Sequence, residues 1–212
     1  MIDLYTWNTP NGRKVSIMLE ETGLDYTVHP VDITREDQFA PDFLEISPNN
    51  KIPAIKDHDN GGMTLMESGA ILMYLAAKSG KLMPEYNTRA WWRVVEWLMW
   101  QMGGAGPMLG QAHHFLKYNP GKSEYAETRY GAEARRLYGV LEARLKGNEF
   151  IAGDYSVADI ATWPWISRFE WQSIDLGAYP CVRRWYDTIA ARPAVQRGYR
   201  VPHFVNDIPH PG

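Results

Sequence analysis

Cysteine is nearly missing from this sequence: its 212 residues include one, Cys181. A single thiol excludes an internal disulfide framework and a CxxC redox pair. It fits a cytoplasmic protein in a reducing compartment. Long apolar runs are missing as well. None reaches the roughly 18 residues that a membrane span needs, so no membrane partner is expected. The first residues lack a basic start, an apolar stretch and a small-residue cleavage site, so no secretory signal is expected. An excess of positive charge is also absent. The 22 Lys+Arg against 25 Asp+Glu leave a net charge of −3, which does not suggest a nucleic-acid partner. What remains is a globular composition, 45% hydrophobic and 22% charged, over a length that suits one or two domains with a proper core.

The charge is uneven along the chain. Residues 1–80 hold 6 Lys+Arg and 12 Asp+Glu, or −6, and residues 81–212 hold 16 and 13, or +3. The shift coincides with "SGKLMPEYNT", where Gly80 and Pro84 act as breakers. A first domain over 1–80, a linker over 81–88 and a second domain over 89–212 are therefore expected.

The first domain alternates. "IDLYTW" reads as a strand ending in turn residues. A helix follows, with Val15, Met18, Leu19 and Thr22 on one face and Gly23 as its stop. "YTVHPVDI" is a second strand, and its Pro30 points to a sheet edge. "DQFAPDFLEISP" gives a short helix or irregular turn. "IPAIKD" and "MTLM" are strands joined by the turn-rich "HDNGG", and "ESGAILMYLAAKSG" is a helix apolar nearly all round. The order β-α-β-α-β-β-α is the thioredoxin-like arrangement. The rest of the chain carries no convincing strand. Its helices are "TRAWWRVVEWLMWQM", interrupted at Gly103-Gly104, then "SEYAETRYGAEARRLYGVLEARLKG", "SVADIATWPWISRF" and "CVRRWYDTIAARP". A surface tail closes the chain.

Three short motifs carry chemistry. "TPNG" starts the first helix, with Thr9 and Asn11 as typical helix-start residues and Pro10 suited to a first turn. It reads either as a plain cap or as a site where hydroxyl, amide and helix N–H groups face an anion. In "SPNNKIPAI", Ile52-Pro53 is a candidate cis bond that enters a strand. It is either a rigid entry or a backbone edge with which an extended peptide pairs. "ESG" opens the last helix of the domain. Glu67 and Ser68 either serve its dipole and cap, or bind an ammonium and a carboxylate. Together the three segments fit one extended, charged, thiol-bearing tripeptide, glutathione.

The order "TPNG…NNKIPAI…ESGAILMYL", followed by a helical half with "SVADIA", resembles the cytosolic glutathione transferase superfamily. "TPNGRK", "ISPNNKIPAI" and "WQMGGAGPMLGQAHHF" are similar to the bacterial Nu class within it. The resemblance covers essentially the whole chain. It implies a thioredoxin-like domain followed by an all-helical domain, a homodimer, and glutathione, reduced or oxidised, as bound substrate. It implies that Thr9 and Asn11 contact the glutathione sulfur as catalytic residues and that Ile52 pairs with the cysteinyl backbone. By the same resemblance Glu67 and Ser68 hold the γ-glutamyl end, Gln38 and Lys51 lie near the glycyl carboxylate, and Arg129 reaches a glutathione of the partner subunit. The activity implied is reduction of small-molecule disulfides by glutathione, with no protein cysteine in catalysis. Two alternatives stand beside it. One is a conjugating transferase acting on small electrophiles, and the other is a non-catalytic regulatory protein that keeps the glutathione pocket.

Other features have plainer readings. His113 and His114 point about 100° apart on a helix and have no ligand partner at metal spacing, so no metal is expected. Trp91, Trp92, Trp97 and Trp100 fall at helical spacing and read as packing or cleft lining. Asp159 in "SVADIA" caps a buried helix. Tyr5 lies inside the first strand and is not nominated for the site. Cys181 lies far in sequence from the three motifs and is read as non-catalytic.

Overall fold

The computed structural model describes residues 1–212 and divides into two units. The first comprises Met1–Met83 with Ala191–Ile208, and the second Pro84–Ala190 with Pro209–Gly212.

The first unit is built on a four-stranded mixed sheet with strand order β2-β1-β3-β4. The strands are β1 (Ile2–Thr6), β2 (Tyr26–Pro30), β3 (Ala54–Asp57) and β4 (Met63–Met66). β1 runs parallel to β2 and antiparallel to β3, and β3 pairs antiparallel with β4. The parallel pair requires a crossover, and α1 (Pro10–Thr22) supplies it. β2 lies at the edge, where Pro30 costs no ladder hydrogen bond. The stretch after β2 forms a 3₁₀ turn at Asp37–Phe39 and the single-turn α2 (Pro41–Leu44). α3 (Ser68–Ser79) closes the unit. A thioredoxin-like domain followed by a helical one is thus the architecture of this chain.

Two sequence expectations need correction. α1 is not one-faced: Gly12–Leu19 is buried without a break. The cause is a second cover. Residues 191–208, placed by sequence in the helical domain, pack instead on the first unit. Their helix α9 (Pro193–Tyr199) lies on α1, where a Cβ added to Gly198 would stand 2.7 Å from both Ile17 Cα and Ile17 N. Ser16 Oγ donates to Gly198 O at 2.7 Å, and the Arg13 guanidinium lies 3.5 Å from the Tyr199 ring centroid. Arg192 and Arg197 pair with Glu21 and Glu20, each at 2.6 Å. The closing stretch is on the surface, as expected, yet His203 holds Asn8 at 3.1 Å and meets Trp7 edge-on.

The second unit is helical. α4 (Arg89–Trp100) does not break at the glycine pair. It runs through a π turn at Gln101–Ala105 into α5 (Gly106–Ala112), with open space beside Gly103 and Gly104 where a side chain would stand. α6 (Glu124–Leu145) buries Leu137, Leu141 and Leu145. α7 (Val157–Ile166) starts with a Ser156–Asp159 capping box. Asp159 also accepts from Ile151 N and Trp185 Nε1, at 2.9 and 2.8 Å. Burial pushes its carboxyl up to about 6 against those donors. α8 (Pro180–Ala190) buries Trp185 and Tyr186.

Candidate functional site

Two helix N-termini and a strand entrance meet in the first unit. A notch of about 50 Å³ is lined by Asn11, Ser47, Asn49, Lys51, Ile52, Pro53, Met66, Glu67 and Ser68. Five residues singled out from sequence are among them: Asn11, Lys51, Ile52, Glu67 and Ser68.

The α1 side follows from its cap. Thr9 is extended, and its Oγ1 accepts from Gly12 N at 3.1 Å, leaving the hydroxyl hydrogen to donate elsewhere. Arg13 N donates to Thr9 O at 3.0 Å. Pro10 has no N–H, and the first turn of α1 carries no carboxylate to occupy the positive end of the helix. Gly12 is required by close approach, since a Cβ there would stand 2.2 Å from Trp7 O.

The strand entrance is held by Ser47, fully buried, whose Oγ donates to Lys51 O at 2.8 Å. Asn50 takes a left-handed φ of 48° inside that loop, and the Ile52–Pro53 bond is cis. The Ile52 side chain packs on the Val31, Phe43 and Ala54 cluster, and neither its N–H nor its C=O pairs with another backbone group. Tyr5 packs on the same cluster and stacks on His29 with ring centroids 4.8 Å apart, which accounts for it as a core residue. Burial raises its phenol further from ionisation.

The α3 side is strained. Glu67 sits at φ 71°, ψ 110°, outside the regions that L residues favour, and its side chain does not cap the helix. It is exposed, whereas Ser68, the first residue of α3, is buried. Ser68 Oγ accepts from Lys14 Nζ at 3.2 Å. Lys14 is 1% exposed, and burial lowers its amine from the usual lysine range to about 7, with the Glu67 charge opposing that shift.

The remaining sequence candidates, Thr9, Gln38 and Arg129, are not among the residues that line the notch; Thr9 stands just before it as the cap of α1. Gln38 is on the 3₁₀ turn after β2, outside the notch lining, with its Oε1 buried and unpartnered. Arg129 is on α6 in the second unit. It shares a groove of about 550 Å³ with Met108, Tyr125, Tyr130 and Arg136. That groove is the larger of the two and reaches the first turn of α6 at Tyr125, but Glu124 and Glu127 already occupy that turn and Arg136 pairs with Glu133 at 2.7 Å. At the notch, by contrast, the Ile52 backbone has no backbone partner, the N-terminus of α1 is open, and the buried Lys14 amine stands behind Ser68. Cys181 opens α8 in the second unit, and Glu142 holds its thiol above the usual range.

The chain can now be set beside known proteins. Residues 9–78 match the glutathione S-transferase N-terminal domain, and residues 106–193 match the glutathione S-transferase C-terminal domain. The disulfide-bond oxidoreductase YfcG of Escherichia coli (strain K12) is 51% identical over 199 residues, covering 92% of each chain.

The chain belongs to the glutathione S-transferase family.

Solved relatives agree. A glutathione transferase from Pseudomonas putida, with one glutathione disulfide bound per subunit, shares 44% identity at a TM-score of 0.90, covering 95% of this chain and 91% of that one. A glutathione transferase from Burkholderia graminis, with two glutathione molecules bound per subunit, shares 46% identity at 0.89, covering 95% and 88%. In this glutathione S-transferase family member, sequence reasoning missed Ser47 and Lys14. Lys14 left a trace: it precedes Met18 and Thr22 by four and eight residues, so it lies on the buried stripe. Ser47 left only "SPNN", a common turn composition.

Proposed function

We propose that this protein is a glutathione-dependent disulfide-bond oxidoreductase in which glutathione supplies the reactive sulfur. The supporting observation is the α1 N-terminus. Its cap hydroxyl on Thr9 has a hydrogen to give, Asn11 faces the notch, and no cysteine of the chain lies in that unit. A hydroxyl, an amide and a helix N-terminus each favour thiolate over thiol. Lowering a thiol from roughly 8.5 by one to two units corresponds to about 1.4 to 2.7 kcal/mol.

The bound glutathione thiolate attacks one sulfur of a small-molecule disulfide, forming a mixed disulfide and expelling the other sulfur as a thiolate. A second glutathione thiolate attacks the mixed disulfide at the glutathione sulfur. Glutathione disulfide forms, and the second half of the substrate leaves as a thiolate. The two protons lost by the glutathione thiols return to the two product thiols. One glutathione disulfide in one solved relative and two glutathiones in another fit the end and the components of that sequence. In this reading Thr9 and Asn11 stabilise the thiolate. The unpaired N–H and C=O of Ile52 receive the cysteinyl backbone. Glu67 and Ser68 hold the γ-glutamyl ammonium and carboxylate, and Gln38 and Lys51 lie toward the glycyl carboxylate. Arg129 serves a glutathione of the partner subunit in a homodimer. No helix is long and apolar enough to cross a membrane, and a cytoplasmic setting with reduced glutathione suits the chemistry.

The test is steady-state reduction of 2-hydroxyethyl disulfide by glutathione, coupled to glutathione reductase, with chlorodinitrobenzene conjugation in parallel. Disulfide turnover well above conjugation is expected, and Thr9→Ala with Asn11→Ala together should remove most of it. An unchanged rate in the double variant refutes the assignment of the sulfur site. Conjugation exceeding disulfide turnover makes the protein a conjugating transferase instead.

A further inference from the structure

A lysine inside a protein is expensive unless something uses it. Lys14 is buried between α1 and α3, with its ε-nitrogen 3.2 Å from the hydroxyl of Ser68. Ser68 in turn lines the notch at the start of α3, where no side chain caps the helix. The amine therefore stands behind the point at which a ligand carboxylate would meet Ser68 and the α3 dipole.

We infer that Lys14 is a positioning residue of the γ-glutamyl subsite: it fixes the Ser68 hydroxyl and provides the buried countercharge for the ligand's α-carboxylate. The inference rests on the glutathione reading above. It adds a consequence that reading lacks, a proton taken up from solvent when the ligand docks. Burial lowers the amine to about 7, so at pH 8 it is about nine-tenths neutral. A carboxylate arriving beside Ser68 favours the ammonium form, and the nitrogen lone pair takes a proton from buffer.

Other charges around α1 are engaged elsewhere. On α1 itself, Arg13 lies over Tyr199, while Glu20 and Glu21 pair with Arg197 and Arg192 of α9. On α3, Lys78 pairs with Asp57 and Asp59. On β1, Asp3 is shared by His29 and His58. Glu67, at the start of α3, is the charge that acts on Lys14, and it favours the ammonium form.

The experiment is titration calorimetry of S-methylglutathione, which has no thiol proton, at pH 8 in buffers of different ionisation enthalpy. It uses the wild-type protein and Lys14→Met, with cysteinylglycine as a ligand lacking the γ-glutamyl group. Wild type should take up close to one proton. Lys14→Met should take up none and bind about 10- to 100-fold more weakly, the usual span for losing a charged hydrogen-bond partner. Affinity for cysteinylglycine should be the same in both. Lys14→Arg should recover part of the affinity without the proton uptake, because its guanidinium stays charged. Equal affinity and equal proton uptake in wild type and Lys14→Met overturn the inference while leaving the glutathione site standing. No binding of S-methylglutathione to wild type overturns both. A weakening that extends equally to cysteinylglycine means the substitution disturbs the fold, and refutes a role specific to the subsite.

Discussion

Lys14 makes a second prediction that needs no ligand. Replacing it with methionine keeps the volume and the straight chain and removes the amine. In the unfolded chain the amine titrates at its ordinary 10.5, and in the fold at about 7. The unfolded state therefore binds more protons between those values, and stability rises with pH across that window. Below pH 7 the full cost of burying the amine is present, and above 10.5 it is gone. At pH 7 the linkage amounts to about 4 kcal/mol against the wild-type fold. Losing the hydrogen bond to Ser68 returns about 1 kcal/mol, so Lys14→Met is expected to be about 3 kcal/mol more stable at pH 7. For a chain of this length that corresponds to roughly 6 to 12 °C in Tm.

The pH profile discriminates further than the single value. At pH 10 the linkage has fallen to about 1 kcal/mol, and the two proteins should unfold together. The assay is urea unfolding followed by tryptophan fluorescence at half-unit steps from pH 6.5 to 10. A difference that stays flat across the range refutes the buried-amine argument. So does a variant less stable than wild type at pH 7, because the amine would then be stabilising where it sits.

Three other outcomes follow from particular contacts. Glu67→Gly should stabilise the fold by about 1 kcal/mol, since glycine relieves a φ of 71° and gives back some of that gain in backbone entropy, while glutathione affinity drops. A denaturant midpoint that does not rise would sink the claim of strain. Gly198→Ala should cost about 2 kcal/mol or more in urea unfolding, because its Cβ would collide with the backbone of Ile17; a change within 0.5 kcal/mol, a rough limit for ordinary surface positions, would mean that α9 is free to lift. His113 is buried against Trp165 and hydrogen-bonded to Gln172, and burial, with the Arg168 charge behind it, lowers its pKa to about 4. Its contribution is fully present above 6.5 and lost as pH falls through 4, so about 2 to 3 kcal/mol should disappear between pH 7.5 and 4.5. His113→Gln should flatten that part of the profile, and an unaltered slope would assign the acid sensitivity elsewhere.

The order of the sheet was legible because each strand is short, β-prone and punctuated. Pro30 marked the edge, Gly23 the end of α1, and Thr9 with Pro10 its start. Each of those residues acts through its own backbone or a neighbour within four positions, and local rules reach that far. What was not legible depends on contacts distant in sequence. α9 has seven residues with Gln196 and Arg197 in their midst, and nothing in that stretch says that Gly198 is the point where it crosses Ile17. The interruption expected at Gly103-Gly104 takes the form of a π turn, which no local rule foretells. A glycine pair permits a break without dictating its form, and here the chain stays helical through the π turn into α5.

The grouping of Asn11, Lys51, Ile52, Glu67 and Ser68 at one notch was legible by motif, but the costs around it were not. Glu67 holds an unfavourable φ, Lys14 buries an amine, Gln38 leaves a buried oxygen unpartnered, and Gly12 is fixed by the backbone of Trp7. Left-handed φ also occurs at Glu36 and Leu82, but three of these four features belong to the opening turns of the two helices that meet at the notch. Under the proposed function this grouping has a use: strain and a buried amine held at the notch leave a ligand of matching charge little rearrangement to make. That argument ties the stability gain expected of Lys14→Met to the affinity loss expected of the same variant. A substitution that improved both would leave the buried amine without a reason to be there.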